Sequence, residues 1–233
     1  MSLILNIDTT TNVCSVAVAN KGKLIDVIET TDDKNHSHVL TVFIEKIFNK
    51  NKLNIQDLSA VAISEGPGSY TGLRIGTSVA KGICYANNIP LISIDTLQAL
   101  AYNVKKTADY NNGLICPMID ARRLEVYFSI FDKKLVKLTK TESKIINNDS
   151  FNNELKNNKI TFCGNGSQKC KEYIKSENAV FFNNVITSAK NMVELSYNKL
   201  INNEFVDVAY FTPFYLKSFI AIKSKKNLLY KPE

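Results

Sequence analysis

The 233 residues, 45% of them hydrophobic, suffice for one large domain or two smaller ones, each with a core of its own. No apolar run approaches the roughly 20 residues of a bilayer span, and the start lacks the charged-then-apolar pattern of an export signal, so a cytoplasmic protein away from membranes is expected. The formal charge of +7 invites a nucleic-acid reading, but the lysines are scattered among 27 asparagines and cluster only at Lys223-Ser224-Lys225-Lys226, so they read first as solvated surface, which attracts nucleic acid loosely and specifies no site.

In chain order, residues 3–8 and 13–19 run apolar around Thr9-Thr10-Thr11-Asn12, the pattern of a β-hairpin, and Lys21-Gly22 turns the chain into a third strand over 24–30. A helix starts at Ser37 or His38 and runs to about Asn49. Leu40, Phe43, Ile44, Ile47 and Phe48 recur on it at helical spacing, and Val39 and Val42 widen the apolar face beyond what a surface helix needs. Residues 58–64 read as a buried strand leading into the glycine-rich run Gly66-Pro67-Gly68-Ser69-Tyr70-Thr71-Gly72-Leu73-Arg74-Ile75-Gly76. The helix that follows, 72–86, carries Leu73, Ile75, Val79, Ile83 and Tyr85, while Gly76, Ala80 and Gly82 leave room for another helix to come close. Asn87-Asn88 and Pro90 end it, a strand covers 91–94, and Asp95 or Thr96 caps a helix over 97–104. The polar stretch 105–112 sets a boundary between subdomains 1–105 and 106–233, the tail of the second packing back on the first. Beyond it the pattern gives strands at 114–119, 126–131 and 135–139, and an Asn-rich loop with a short helix over 142–158. A strand at 160–163 then enters Gly164-Asn165-Gly166, and helices follow at 167–175 and 187–200. Asp120 ends its strand as Asp8 ends its own, an echo that points to two related halves.

Strand, glycine turn and helix at residues 58–86 admit two readings. One is a phosphate cradle, because helix N-termini attract anions and Ser69 or Thr71 is placed to cap. A Walker loop fails, since Leu73-Arg74 stands where a lysine and a hydroxyl are needed. A dinucleotide fingerprint with Asp95 as the ribose acid is strained by Pro67 and by one residue too many between Gly68 and Gly72, so NAD binding is not expected. The other reading is a strand-to-helix corner that needs glycine for close packing. Asp8 is likewise open: it either meets phosphate or metal at a strand end or organises the threonine-rich turn through its own hydrogen bonds. His36 and His38, the two histidines, diverge if both lie on the helix and converge on a metal only if they precede it in extended chain. There is no G-x-S-x-G elbow. Cys14, Cys84, Cys116, Cys163 and Cys170 lack metal-ligand spacing and read as reduced, buried thiols.

The run from Gly66 to Gly76 closely resembles the signature of the TsaB (YeaZ) family. The resemblance extends to Ile4-Leu5-Asn6-Ile7-Asp8-Thr9-Thr10 with Cys14-Ser15-Val16-Ala17-Val18, to Asp120-Ala121-Arg122-Arg123-Leu124-Glu125-Val126-Tyr127 with Leu124 where glycine is usual, to Gly164-Asn165-Gly166, and to Pro213-Phe214-Tyr215-Leu216-Lys217 with lysine in place of arginine. It implies an α/β fold of the actin-like, hexokinase-like (ASKHA, ribonuclease H-like) kind, mixed sheets flanked by helices in two related subdomains. It implies a non-catalytic subunit of the machinery that forms N6-threonylcarbamoyladenosine at position 37 of tRNA. That subunit binds and activates a TsaD-type threonylcarbamoyltransferase through the helices at 38–49 and 72–86. Leu40, Phe43, Ile47, Leu73, Gly76, Val79, Ala80 and Ile83 are the interface residues this implies, whereas the residues read by themselves give burial of both helices inside one domain as the default. It also implies a TsaE-type ATPase partner, tRNA reached through the complex, and ATP or ADP at the subunit boundary near Asp8, Thr10 and Ser69; a bare apolar helix pair would in addition tend to pair two copies of the isolated chain. The rival expectation is a stand-alone actin-like ATPase or glycoprotease-like metallopeptidase using Asp8, Asp120 and His36 or His38.

Overall fold

A computed structural model of the chain describes residues 2–31, 36–107, 110 and 113–217. Strands β1 (Leu3–Asp8), β2 (Cys14–Asn20) and β3 (Lys23–Thr30) form an antiparallel meander, and β4 (Leu58–Gly66) and β5 (Leu91–Asp95) add to it in parallel, in the order β3-β2-β1-β4-β5. Two helices, α1 (His36–Asn51) and α2 (Tyr70–Asn87), lie on one face of this sheet, and α3 (Thr96–Lys105) begins directly after β5. The central strand shows why. Leu3, Leu5 and Ile7 point at Leu40, Ile44 and Ile47 of α1 and at Ala80 and Cys84 of α2, whereas Ile4 points the other way, into a cluster with Ala99 of α3 and Met192. Such a strand is apolar along its whole length because both of its faces are covered.

The second half repeats the plan. Strands β6 (Leu114–Asp120), β7 (Glu125–Phe128) and β8 (Glu142–Ile145) are antiparallel, and β9 (Ile160–Cys163) and β10 (Ala179–Phe181) are parallel additions, so the order β10-β9-β6-β7-β8 is the first sheet's order over again. The doubled order is the actin-like architecture. Short α4 (Asn152–Asn157) stands where α1 does, and a 3-10 turn at Gln168–Cys170 replaces the long α2. A second 3-10 turn, Ala189–Met192, leads into α5 (Val193–Ile201), which packs on β1 and β5 of the first sheet. Helix α3 is wedged between the halves. Its Leu97, Leu100, Ala101 and Val104 join Ile115, Ile119 and Phe131 of the second, while Ala99 joins the first.

Three expectations are corrected. The strand at 135–139 is reduced to a bridge between Phe131 and Lys137, and the regular strand lies at β8, inside the stretch read as loop. The helix expected at 167–175 is a 3-10 turn at Gln168–Cys170, following Gly164 and Gly166, which bring the chain against β6. The helix expected from Thr187 starts as 3-10 and becomes α-helical only at Val193. Among the described residues no helix is long and apolar enough to cross a membrane. The basic cluster 223–226 and residues 108, 109, 111 and 112 of the polar boundary stretch lie outside the described residues.

Candidate functional site

Four consecutive residues between β1 and β2 are each held by a different part of the molecule. Thr9 donates its hydroxyl to the Gly72 carbonyl of α2 at 2.7 Å. Thr10 donates both its amide, at 3.0 Å, and its hydroxyl, at 2.7 Å, to Asp8 Oδ1, and its carbonyl accepts from the Ser69 amide at 2.6 Å. The Thr11 and Thr187 hydroxyls are 2.6 Å apart, which ties in the segment before α5. Asn12 accepts from His36 Nε2 at 3.2 Å, which ties in the start of α1.

This turn is what the glycine signature serves. A Cβ on Gly68 would sit 2.3 Å from the Thr10 carbonyl oxygen, and one on Gly72 would sit 2.0 Å from that of Thr9. Only glycine admits the backbone so close. Gly66, at φ +115°, turns the chain into the corner, and Ser69 accepts from the Gly72 amide at 3.3 Å as the N-cap of α2. The packing reading of the signature is therefore the one the geometry bears out. The second half repeats the device: Asp120 Oδ1 accepts from the Arg122 amide at 2.8 Å, as Asp8 does from Thr10, and a Cβ on Gly164 would meet the Met118 carbonyl oxygen at 2.4 Å.

Between the two turns lies a cleft of about 680 Å³, walled by Thr10, Ser69, Tyr70 and Thr71 on one side and Asp120, Arg122, Tyr127 and Asn165 on the other, with Tyr215 and Lys217 at its edge. Each segment that carries the family resemblance contributes a wall. Arg122 and Arg123 both adopt left-handed backbone, φ +70° and +50°, and Lys169 braces that turn by donating to the Asp120 carboxylate and to the carbonyls of Arg123 and Glu125, the last two at 2.8 and 2.6 Å.

The ionisable candidates are committed to structure. Asp8 is 1% exposed and lies beneath the cleft rather than in its wall. Burial pushes its carboxyl from 3.8 up to about 6, against the pull of Thr10, Ser64 and the His36 charge. Among the described residues no hydrogen-bond partner within ordinary geometry reaches its Oδ2, and the nearby Ser64 hydroxyl lies 2.8 Å from Thr96 Oγ1. His36 is buried and His38 exposed, both already on α1, so the two rings face apart. All five cysteines are buried and unpaired, and burial raises their thiols, Cys14 to about 12 and Cys84 and Cys170 to about 11. Of the three residues expected at a nucleotide, Thr10 and Ser69 line the cleft and Asp8 does not.

Of the eight expected interface positions, Leu40, Ile47, Leu73, Gly76 and Ala80 are instead buried within this one chain. Both helices press their strongest apolar stripe against the sheet. Phe43, Val79 and Ile83 are half-buried along the outer side, beside exposed Val42 (40%) and Tyr85 (86%), and a Cβ on Gly82 would meet nothing within 4 Å. Sequence reasoning named neither Arg122 and Asn165 nor Tyr215 and Lys217 as site residues. Their shared signal was that each falls in a segment carrying the resemblance.

The family described as TsaD, tRNA N6-adenosine threonylcarbamoyltransferase, matches residues 27–222 of the chain. The tRNA threonylcarbamoyladenosine biosynthesis protein TsaB of Bacillus subtilis (strain 168) is 35% identical over 131 residues, so the match spans just over half of each protein, 56%. The protein of the same description from Haemophilus influenzae is 25% identical over 229 residues, 94% of this chain and 95% of that one. Among solved structures, YeaZ from Pseudomonas aeruginosa superposes with a TM-score of 0.80 at 21% identity, over 93% of this chain and 100% of that one, and so shares the fold.

Proposed function

The chain belongs to the tRNA N6-adenosine threonylcarbamoyltransferase family, in its TsaB (YeaZ) branch, and we propose that it serves threonylcarbamoyladenosine formation as a non-catalytic subunit that docks the TsaD-type transferase. The observation that carries this reading is the outer side of α1 and α2. The monomer leaves Val42 and Tyr85 exposed there, beside half-buried Phe43, Val79 and Ile83. In their midst Gly82 sits within a helix, where glycine costs about 1 kcal/mol relative to alanine. None of the described residues comes within 4 Å of a Cβ on Gly82, whereas a partner helix packed against α2 would use the space. The docking residues are thus Val42, Phe43, Val79, Gly82, Ile83 and Tyr85, and the buried stripe beneath them is core. A non-catalytic role is supported by the state of the acids and bases: Asp8 is sealed in, His36 holds a turn, Asp120 is engaged by Lys169, and the thiols are raised by burial.

Mixing the purified chain with the TsaD-type subunit is expected to give a heterodimer on size exclusion. The double variant Val79→Glu/Ile83→Glu should abolish that heterodimer while leaving the chain folded. Complex formation by a folded double variant would remove the basis of this reading. The same face, unpartnered, would pair two copies of the chain. Further proposed contacts are a TsaE-type ATPase, tRNA held by the whole complex, and ATP or ADP at the subunit boundary, with Thr10 and Ser69 as the residues this chain offers. Calorimetry with ADP on the complex against the isolated chain tests the last point, binding being expected to the complex only. The rival, a self-sufficient ATPase or metallopeptidase, predicts ATP or peptide turnover by the isolated chain.

A further inference from the structure

The segment after α5 does more than trail away from the fold. Val206 bridges to Leu91 at the edge of β5, its amide donating to the Leu91 carbonyl at 3.0 Å. Lys81 of α2 then donates to the carbonyls of Ala209 and Phe211 at 2.9 and 3.2 Å, so α2 grips the segment as it passes. The Phe214 amide donates to the Glu65 carbonyl at 2.8 Å, and the Phe214 carbonyl fills the space a Cβ on Gly66 would need, 2.7 Å away. Tyr215 lays its ring 4.8 Å from that of Tyr70, the first residue of α2, and Tyr70 in turn carries the Arg74 guanidinium 4.3 Å over its own ring. Finally Lys217 crosses to the second half and pairs with Glu125 of β7, holding that carboxyl below its ordinary value. Every anchor before Lys217 is on the first sheet or α2; Lys217 lands on the second sheet, across the cleft edge.

We propose that residues 206–217 form a latch across the cleft: the strap is fastened to α2 and β5, and the Lys217–Glu125 pair closes it on the second half and sets the angle between the halves. The proposal gives a task to two segments of the family resemblance that the docking face leaves without one, Asp120 to Tyr127 and Pro213 to Lys217. It holds for the isolated chain and does not rest on the docking reading. If that reading holds as well, the docking helix α2 and the cleft are two ends of one mechanical connection, and transferase binding and cleft width are linked reciprocally.

The test measures the distance between the halves. Cysteines placed at exposed Lys23 on β3 and exposed Asn153 on α4 take spin labels selectively, because the five native thiols are buried. The labelled parent is expected to show one narrow distance distribution. Lys217→Ala and Glu125→Ala are each expected to lengthen and broaden it, and the exchange Lys217→Glu/Glu125→Lys to restore it. An exposed ion pair is screened by salt, so the labelled parent should lengthen in the same sense at high ionic strength, a measurement independent of whether any variant folds. Distances unchanged in folded single variants, a charge exchange that leaves the halves apart, or a parent indifferent to salt would each overturn the latch. Heterodimer formation by the folded Val79→Glu/Ile83→Glu variant, with the latch intact, would instead refute the docking reading alone.

Discussion

Asp8 is a carboxyl held at the centre of the molecule by two hydrogen bonds from one neighbour, and its environment resists its charge. In the unfolded chain it ionises near 3.8 and in the folded chain near 6, so the folded state binds the proton more tightly. Above about pH 6 the chain must keep a buried charge that the unfolded state holds in water, a penalty of about 3 kcal/mol that fades as pH falls from 6 towards 3.8. Asp8→Asn keeps an acceptor for Thr10 and removes the charge. It is expected to raise the thermal midpoint at pH 7.5 and to keep only about a third of that gain in stability at pH 4.5; a gain independent of pH would place the stabilisation elsewhere. Two glycines of one helix offer a contrast. Gly72→Ala would drive a methyl group into the Thr9 carbonyl and is expected to destabilise by about 3 kcal/mol or more, whereas Gly82→Ala, in open space, should stabilise by about 0.5–1 kcal/mol in urea unfolding. Both residues read alike in the sequence. What separates them is the approach of a turn 63 residues away from Gly72, and no local pattern reports that distance.

At the level of elements, α2 carries two apolar stripes, and only one belongs to the monomer. Leu73→Ala is expected to cost about 3 kcal/mol because Leu73 is fully enclosed, while Ile83→Ala should cost about 1 kcal/mol or less and show its effect in the heterodimer instead. Chemical denaturation paired with a binding assay on each variant checks the division. The sequence made both helices legible within two or three residues of their bounds, since Leu40, Ile44 and Ile47 or Leu73, Ala80 and Cys84 recur at one helical period. It could not say which part of a broad apolar face meets the sheet; burial inside one domain was its default reading, and the resemblance alone named Leu40, Ile47, Leu73, Gly76 and Ala80 as interface, where the monomer buries them. β8 escaped for the opposite reason: Glu-Ser-Lys-Ile is a polar edge strand, three of its four residues are exposed, and it carries no alternation to read.

For the whole molecule, the helix wedged between the sheets decides how the chain unfolds. Because α3 supplies Leu97, Leu100 and Val104 to one core and Ala99 to the other, neither half can unfold without stripping a wall from its neighbour. Urea transitions followed by far-UV and near-UV circular dichroism are expected to coincide, and a separated first transition would show the halves melting apart. The polar seam between α5 and the first sheet adds to the tie. Ser196 Oγ donates to Asn6 Oδ1 at 2.7 Å, both residues fully buried, so Ser196→Ala should cost about 1–3 kcal/mol by stranding that acceptor. The doubled strand order was foreshadowed by one repeated aspartate, and both members prove to accept an amide two residues on. The cleft was not, since its walls come from five segments that meet only once the chain has folded.

The threonine-rich bend after β1 also governs where this chain tolerates being cut and rejoined. Its four residues answer to α1, α2, Asp8 and the stretch ahead of α5, so a new pair of ends opened there would unfasten all of them together. New termini belong at the exposed hairpin tip of Lys133-Lys134, where Asp132 alone organises the backbone, and a permuted chain opened there should still assemble.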